Sequence, residues 1–177
     1  MSSRAEGIFQ IRNARPKDQG SINKVHRAAF DSPAEAQLVE LLRKRGKASI
    51  SLIAEIQNQI AGHILFSPVS LEPPASGWYA LGLAPIGVLP QHQGQGIGSA
   101  LINTGLQHCR SQGVELVFVL GDPGYYSRFG FRRADDFGFS NEYQAREHFQ
   151  VHELIPGMSK KYRGLVKYSL EFAEIGC

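Results

Sequence analysis

The stretch "PIGVLPQHQGQGIGSALI", Pro85 to Ile102, begins as an apolar strand and breaks at Pro90. It then places three glycines, Gly94, Gly96 and Gly98, within five residues before an apolar helical pattern starts. The first amides of a helix have no intrahelical acceptor, and the helix dipole adds partial positive charge at the same end, so a loop of this kind binds anions. The glycines let a ligand approach the main chain, and because the loop holds no lysine, its donors are mostly amides. A tight turn with no ligand is the competing reading of the same residues.

Two nucleotide-binding patterns are weakened by what surrounds the glycines. A P-loop needs a Gly-Lys-Ser/Thr ending, which is absent. A dinucleotide fingerprint needs a third glycine at position 99, where Ser99 stands, and an acidic residue at the far end of the next strand, whereas Glu115 sits at its start.

Working outward, "GWYALGLAPIGV" (77–88) reads as a strand leading into the loop, with Pro85 removing a ladder donor, so a bulge or splay is expected there. Leu101, Ile102, Gly105, Leu106 and Cys109 share one helical face after it, and Gly113 caps that helix. "VELVFVLG" (114–121) is a buried strand, making a right-handed strand–helix–strand crossover. Upstream, "IFQIRN" (8–13) is a first strand, followed by a helix with Ile22, Val25 and Ala29 at helical spacing. In a second helix Ser32, Pro33 and Glu35 form a capping box and Gly46 is the stop. From Ile50 the period becomes two, and "QNQ" divides a hairpin. "PGYYSRF" predicts a short helix, and Arg132–Arg146 reads as an irregular polar segment, either a binding loop or an insertion. Val166, Tyr168, Leu170 and Phe172 alternate with polar residues, which predicts a last strand whose exposed edge can pair with a second copy.

At 177 residues the chain predicts one domain, 1–177, and 42% hydrophobic with 20% charged residues is the composition of a folded protein. The opening "MSSRAEGIFQ" lacks a signal-peptide core, no apolar run spans a membrane, and only Cys109 and Cys177 occur; together these predict a cytoplasmic protein. A net charge of +3 suits a phosphate-bearing ligand and does not argue for nucleic acid. The histidines lack zinc-site spacing and no Gly-x-Ser-x-Gly elbow occurs, so no metal is expected and a serine hydrolase is not supported.

Gln93-Gly94-Gln95-Gly96-Ile97-Gly98 resembles the Gln/Arg-x-x-Gly-x-Gly/Ala signature of the GNAT superfamily of acyl-CoA-dependent N-acyltransferases. Tyr126-Ser127-Arg128-Phe129-Gly130-Phe131 is similar to its Tyr-x-x-x-Gly-Phe segment, in the same order along the chain, and "VLGDPGYYSRFGF" resembles the YhbS-like branch of predicted acetyltransferases. The resemblance implies an α/β GNAT fold: a mixed, mostly antiparallel sheet of about six or seven strands, splayed near the cofactor and flanked by about four helices. It implies acetyl-CoA as co-substrate. Gln93, Gly94, Gln95, Gly96, Ile97, Gly98 and Ser99 would lie on its pyrophosphate, and Ile86, Gly87 and Val88 along its pantetheine arm. Tyr126 would protonate the departing sulfur, with Tyr125 the neighbour most easily confused with it. A core role for Tyr126, packed beside Phe129 and Phe131, stays open.

Acetyl transfer to an amine needs a donor where charge develops and an acid near the sulfur. Many family members carry a glutamate on the strand before the loop; "WYALGLAPIGV" has no carboxylate. Glu72, His63, His92, Asp135, Asp136 and Glu142 are candidate bases, none singled out by spacing. A lysine ε-amine is neutral in roughly one molecule in two thousand at pH 7 and an α-amine in about one in ten, so the latter needs less help. The acceptor pocket is expected from the first helices, the hairpin and Arg132–Arg146, with Trp78 and Tyr79 as further candidate lining residues. A small amine and a peptide or protein amine all fit the sequence. So do a non-catalytic acyl-CoA sensor and transfer of a larger acyl group.

Overall fold

A computed structural model describes residues 8–177; the first seven residues of the opening stretch lie outside the described residues. Strand β1 (Gln10–Asn13) is followed by helices α1 (Gln19–Ala29) and α2 (Ala34–Lys44), then by β2 (Ile50–Ile56) and β3 (Gln59–Pro68). Gln57 and Asn58 join these two strands with φ of 47° and 65°. Positive values at both central residues are the conformation that matches the twist of a two-residue hairpin. β4 (Ser70–Glu72), β5 (Ala80–Val88), α3 (Ile97–Ser111) and β6 (Leu116–Leu120) come next. The chain then runs through α4 (Pro123–Tyr126), β7 (Arg132–Arg133), β8 (Phe139–Asn141), β9 (Phe149–Glu153), β10 (Gly164–Lys167) and α5 (Leu170–Ile175).

Seven strands form a mixed sheet in the order β1-β2-β3-β5-β6-β9-β7, and β4-β10-β8 form a second, three-stranded sheet. Alternation along the strands fills two cores. Leu52, Ala54, Ile64 and Phe66 point to the α3 side, while Ile53 and Leu65 between them face the α1–α2 side. Phe66 packs where a side chain at Gly105 of α3 would stand, 2.4 Å from a Cβ built there, which brings the helix close to the sheet.

The site is made possible by how β5 is held. Against β3 it runs antiparallel with a register break: Ile64 pairs with Ile86 and Phe66 with Leu83, so the single Leu65 opposes Ala84 and Pro85. Against β6 it runs parallel over Ala80–Gly82 only, opposite Leu116–Phe118. From Leu83 to Val88 the strand has no partner on the β6 side, and the sheet is open there. Pro85 sits at the opening, as a residue without a backbone donor requires.

The C-terminal alternation reads differently in three dimensions. The strand stops at Lys167 and α5 begins at Leu170. Ser169 breaks the extended run, its hydroxyl donating to the Pro68 carbonyl at 3.1 Å and its carbonyl accepting from the Phe172 amide at 3.0 Å. Gly176, at φ 81°, ends the turn. Leu170, expected inward, is 74% exposed. β10 is flanked by β4 and β8, so the edge expected to be open to a second copy is filled within the chain. Arg132–Arg146 is less irregular than its composition suggests, since it carries β7, a 3-10 turn and β8. Among the described residues no helix is long and apolar enough to cross a membrane.

Candidate active site

α3 begins at Ile97 with Gly96 before it in the left-handed region at φ 84°, where a side chain would cost about 1 kcal/mol or more. The first bond of the helix runs from the Ala100 amide to the Gly96 carbonyl at 3.0 Å, so the amides of Ile97, Gly98 and Ser99 have no acceptor within the helix. No acidic residue occupies the first turn to compete for them, and no side chain caps it. Gln93 ties the loop to the strand, its side-chain amide donating to the Val88 carbonyl at 3.0 Å.

These amides open on a cleft of about 470 Å³. Ile86, Gly87, Val88, Gln93, Gly94, Gly96, Ile97, Gly98 and Ser99 line it, as the motif implied; Gln95 does not, its side chain turning back to the Gln91 carbonyl at 3.5 Å. Two lining residues were not foreseen. The hydroxyl of Tyr125 lies 3.2 Å from the position of a Cβ on Gly98, and the Arg128 guanidinium stacks over the Tyr125 ring at 4.8 Å. Arg128 is the one fixed positive charge lining the cleft among the described residues, and its i, i+3 spacing from Tyr125 was the available signal.

On the α1–α2 side of the same opening lies a chamber of about 310 Å³, small but within the range of small-molecule sites. Ile86 borders both cavities, so they meet at the gap between β5 and β6. α1 and α2 contribute Phe30, Glu35 and Leu38; the 132–146 segment contributes Tyr143; the C-terminal turn contributes Tyr168, Phe172 and Cys177. The hairpin, Trp78 and Tyr79 take no part. Trp78 donates its ring N–H to the Val69 carbonyl at 2.8 Å and packs against Phe118, Phe139 and Tyr162, so packing accounts for it.

The two adjacent tyrosines are sorted to opposite sides of the opening: Tyr125 faces the cleft and Tyr126 the chamber. Asp122 caps α4 by accepting from the Gly124 amide at 2.9 Å, fixing the turn that separates them. The Tyr126 ring lies against Gly121, 2.4 Å from where a Cβ there would be, and edge-on to Phe131. Burial and the neighbouring Tyr125 hydroxyl push its pKa up to about 12, so it is a proton donor at neutral pH.

The bases proposed from sequence lie elsewhere. His63 is fully buried, hydrogen-bonded to Ser51 (2.8 Å) and to His26 (2.7 Å), and desolvation followed by the neighbouring His26 holds it neutral. Glu72 pairs with Lys167, and Asp135 with Arg133. His92 is on the cleft side, and Asp136 and Glu142 are exposed and do not line the chamber. The carboxylate on the chamber wall is Glu35. It was read as completing a capping box with Ser32 at the N-cap; instead Pro33 is the N-cap of α2 with no side-chain cap bond, and Glu35 Oε2 accepts from Ser32 Oγ at 3.3 Å while that Oγ accepts from the Ala34 amide at 3.2 Å. A further cavity, about 830 Å³ beside Arg12, Asp18 and Glu55, is of another character: its central arginine is held by both carboxylates at 2.8 Å.

Residues 10–134 match the family model described as an acetyltransferase (GNAT) domain. The chain belongs to the GNAT acetyltransferase family. It is 36% identical over 164 residues to YhbS of Escherichia coli K12, an N-acetyltransferase by name, covering 92% of this chain and 97% of that one. The crystal structure of E. coli YhbS in complex with CoA superposes with a TM-score of 0.90 at 33% identity, over 98% of this chain and 96% of that chain. A GNAT acetyltransferase of Brucella melitensis in complex with acetyl-CoA gives 0.78 at 36% identity, over 93% and 97%. The seven-stranded mixed sheet agrees with the expected architecture, and the helices number five where about four were expected.

The GNAT residues present here suit a pyrophosphate-bearing thioester. Unpaired helix amides and Arg128 would hold the phosphates, and the Ile86–Val88 edge, without a β6 partner, would offer main-chain donors and acceptors to an amide-containing arm. Among the described residues no cluster of three metal-ligating side chains occurs.

Proposed function

We propose that this protein transfers an acetyl group from acetyl-CoA to a primary amine by direct attack in a ternary complex. The observation that carries the reading is the meeting of an anion-ready cleft and a largely apolar chamber at Ile86, with Tyr126 on the chamber wall. Gln93, Gly94 and Gly96 through Ser99, with Arg128, hold the phosphates, and Ile86, Gly87 and Val88 pair with the pantetheine arm. Acetyl-CoA supplies a carbonyl activated by a thiol leaving group.

The chain's own residues orient the partners and manage charge. The α1–α2 side delivers the amine through the chamber, and the sheet opening restricts its approach to the gap. Tyr126, protonated at neutral pH, donates a hydrogen bond to the sulfur as the carbon–sulfur bond breaks. An alkyl thiol of ordinary acidity titrates near about 8.5, so complete transfer from a phenol near 12 is uphill by about 5 kcal/mol. The amine gives up one proton to solvent to become nucleophilic and a second to solvent as its carbon–nitrogen bond forms; Tyr126 acts as a donor that stabilises the thiolate leaving as the carbon–sulfur bond breaks, and solvent completes the thiolate's protonation.

The test is thiol release from acetyl-CoA in the presence of an amine panel, with the acetylated product identified by mass. Amine-dependent release is expected. Binding of acetyl-CoA with no release for any small amine or peptide amine would reduce the protein to an acyl-CoA-binding module.

A further inference from the structure

Most half-buried and buried carboxylates among the described residues are matched with cations, and Glu153, which is not, accepts from the Ser159 amide at 3.4 Å. Asp18 and Glu55 share Arg12, and Glu171 is held by Arg45 and Lys47. Glu35 differs. It is half-buried on the wall of an apolar chamber, and among the described residues it has no ion-pair partner; its only hydrogen bond comes from Ser32, to one oxygen. Among the described residues no lysine, arginine or histidine lines the chamber. The charge is felt within it, since the Cys177 thiol is pushed up by burial and then by Glu35.

The rest of the wall is mostly apolar, with five aromatic rings among aliphatic side chains. Tyr143 and Tyr168 meet at 6.2 Å between ring centres and Tyr168 and Phe172 at 5.0 Å, and Tyr126 lines the same chamber. Ring faces attract cations, most strongly where water is excluded. Tyr168 is 5% exposed and its hydroxyl has no hydrogen-bond partner among the described residues. A buried polar group of this kind costs free energy until something bonds to it, and a phenol oxygen can accept from an ammonium N–H. A carboxylate-bearing guest would meet Glu35 with no compensating cation.

We infer that the acceptor is a small cationic amine with an apolar body and no carboxylate, its ammonium held by Glu35 and the tyrosines of the chamber. This names the substrate class of the transferase reading and rests on it. Glu35 selects the acceptor by charge, and the largely apolar wall takes its hydrocarbon part.

The experiment is a calorimetric titration of the CoA-saturated protein with phenethylamine, 2-phenylethanol and phenylalanine, which share a ring and differ in charge. Phenethylamine is expected to bind about tenfold more tightly than either, as one charge-assisted hydrogen bond provides. Glu35→Gln should remove that preference and leave 2-phenylethanol unchanged, a readout that loss of the Ser32 hydrogen bond would not produce. Equal affinities in the unmodified protein, no binding of phenethylamine, or a preference that survives Glu35→Gln would overturn the inference. If the variant does not fold, the three-way comparison in the unmodified protein decides. Thiol release measured in parallel separates the two levels. Charge-selective binding without transfer to any amine removes the transferase reading and with it the acceptor role, leaving Glu35 as a selective amine site, and equal turnover of phenethylamine and phenylalanine removes the inference alone.

Discussion

Replacing Tyr126 by Phe isolates one oxygen. The ring's contacts with Gly121, Phe131 and Tyr125 are made by carbon atoms and stay, and among the described residues the hydroxyl has no hydrogen-bond partner to lose. Stability should change by less than about 0.5 kcal/mol, as for a substitution that leaves no buried group unpaired. The cofactor cleft is lined by Tyr125 and not Tyr126, so affinity for CoA should hold. Turnover should fall. Losing one donor aimed at developing charge costs about 3–4 kcal/mol, or roughly a hundred- to a thousandfold in kcat. The assay is steady-state thiol release with a saturating amine, beside a calorimetric CoA titration and a melting curve. Unchanged kcat would refute the role of Tyr126. So would a parallel loss of CoA affinity, because the hydroxyl would then be holding the cofactor.

Three further outcomes follow from the same geometry. Arg128→Ala should weaken CoA binding about three- to tenfold, more at low salt than at high, with no change in melting temperature, since the side chain is exposed; titration at two ionic strengths checks it. Gly121→Ala should cut kcat and cost about 1–3 kcal/mol, because Gly121 is pinned by bonds to His148 and Gln150 and its new Cβ must displace the Tyr126 ring; a melting curve and kcat together test this. His26, held at about 4 by burial, stays neutral in the fold while the unfolded chain takes up a proton below about 6.5. Stability is therefore full above that pH and lost on acidification, by about 2 kcal/mol between pH 7 and 5, with His63 acting in the same direction. A melting temperature that is flat over that interval would contradict the neutral pair.

The parts of the site that backbone chemistry dictates were legible in the sequence. Gly94 and Gly96 sit where only a left-handed backbone makes the turn, at φ 74° and 84°, and Pro85 marks the opening because it cannot donate to a ladder. What was not legible depends on distant packing. Glu35 satisfies a local capping pattern, and nothing near it in sequence says that the turned helix end faces Tyr168. Tyr168 and Phe172 fit a period of two, yet Ser169 turns the chain and sends both into the chamber from opposite sides of the break. The His26–His63 contact joins residues 37 apart on a helix and a strand, and only the fold shows that the two rings share a proton site. Arg128 was quoted as part of a motif without a role, because its stacking on Tyr125 requires the helical turn between them.

The central claim is that the α3 N-terminus and the Ile86–Val88 edge hold coenzyme A at the gap. The measurement that tests it most directly is a calorimetric titration with acetyl-CoA beside acetyl-pantetheine, which lacks the pyrophosphate. The account predicts micromolar binding of acetyl-CoA and affinity lower by about a hundredfold without the pyrophosphate. No binding of acetyl-CoA, or equal binding of the two, would contradict it, because the glycine loop would then be serving the turn alone.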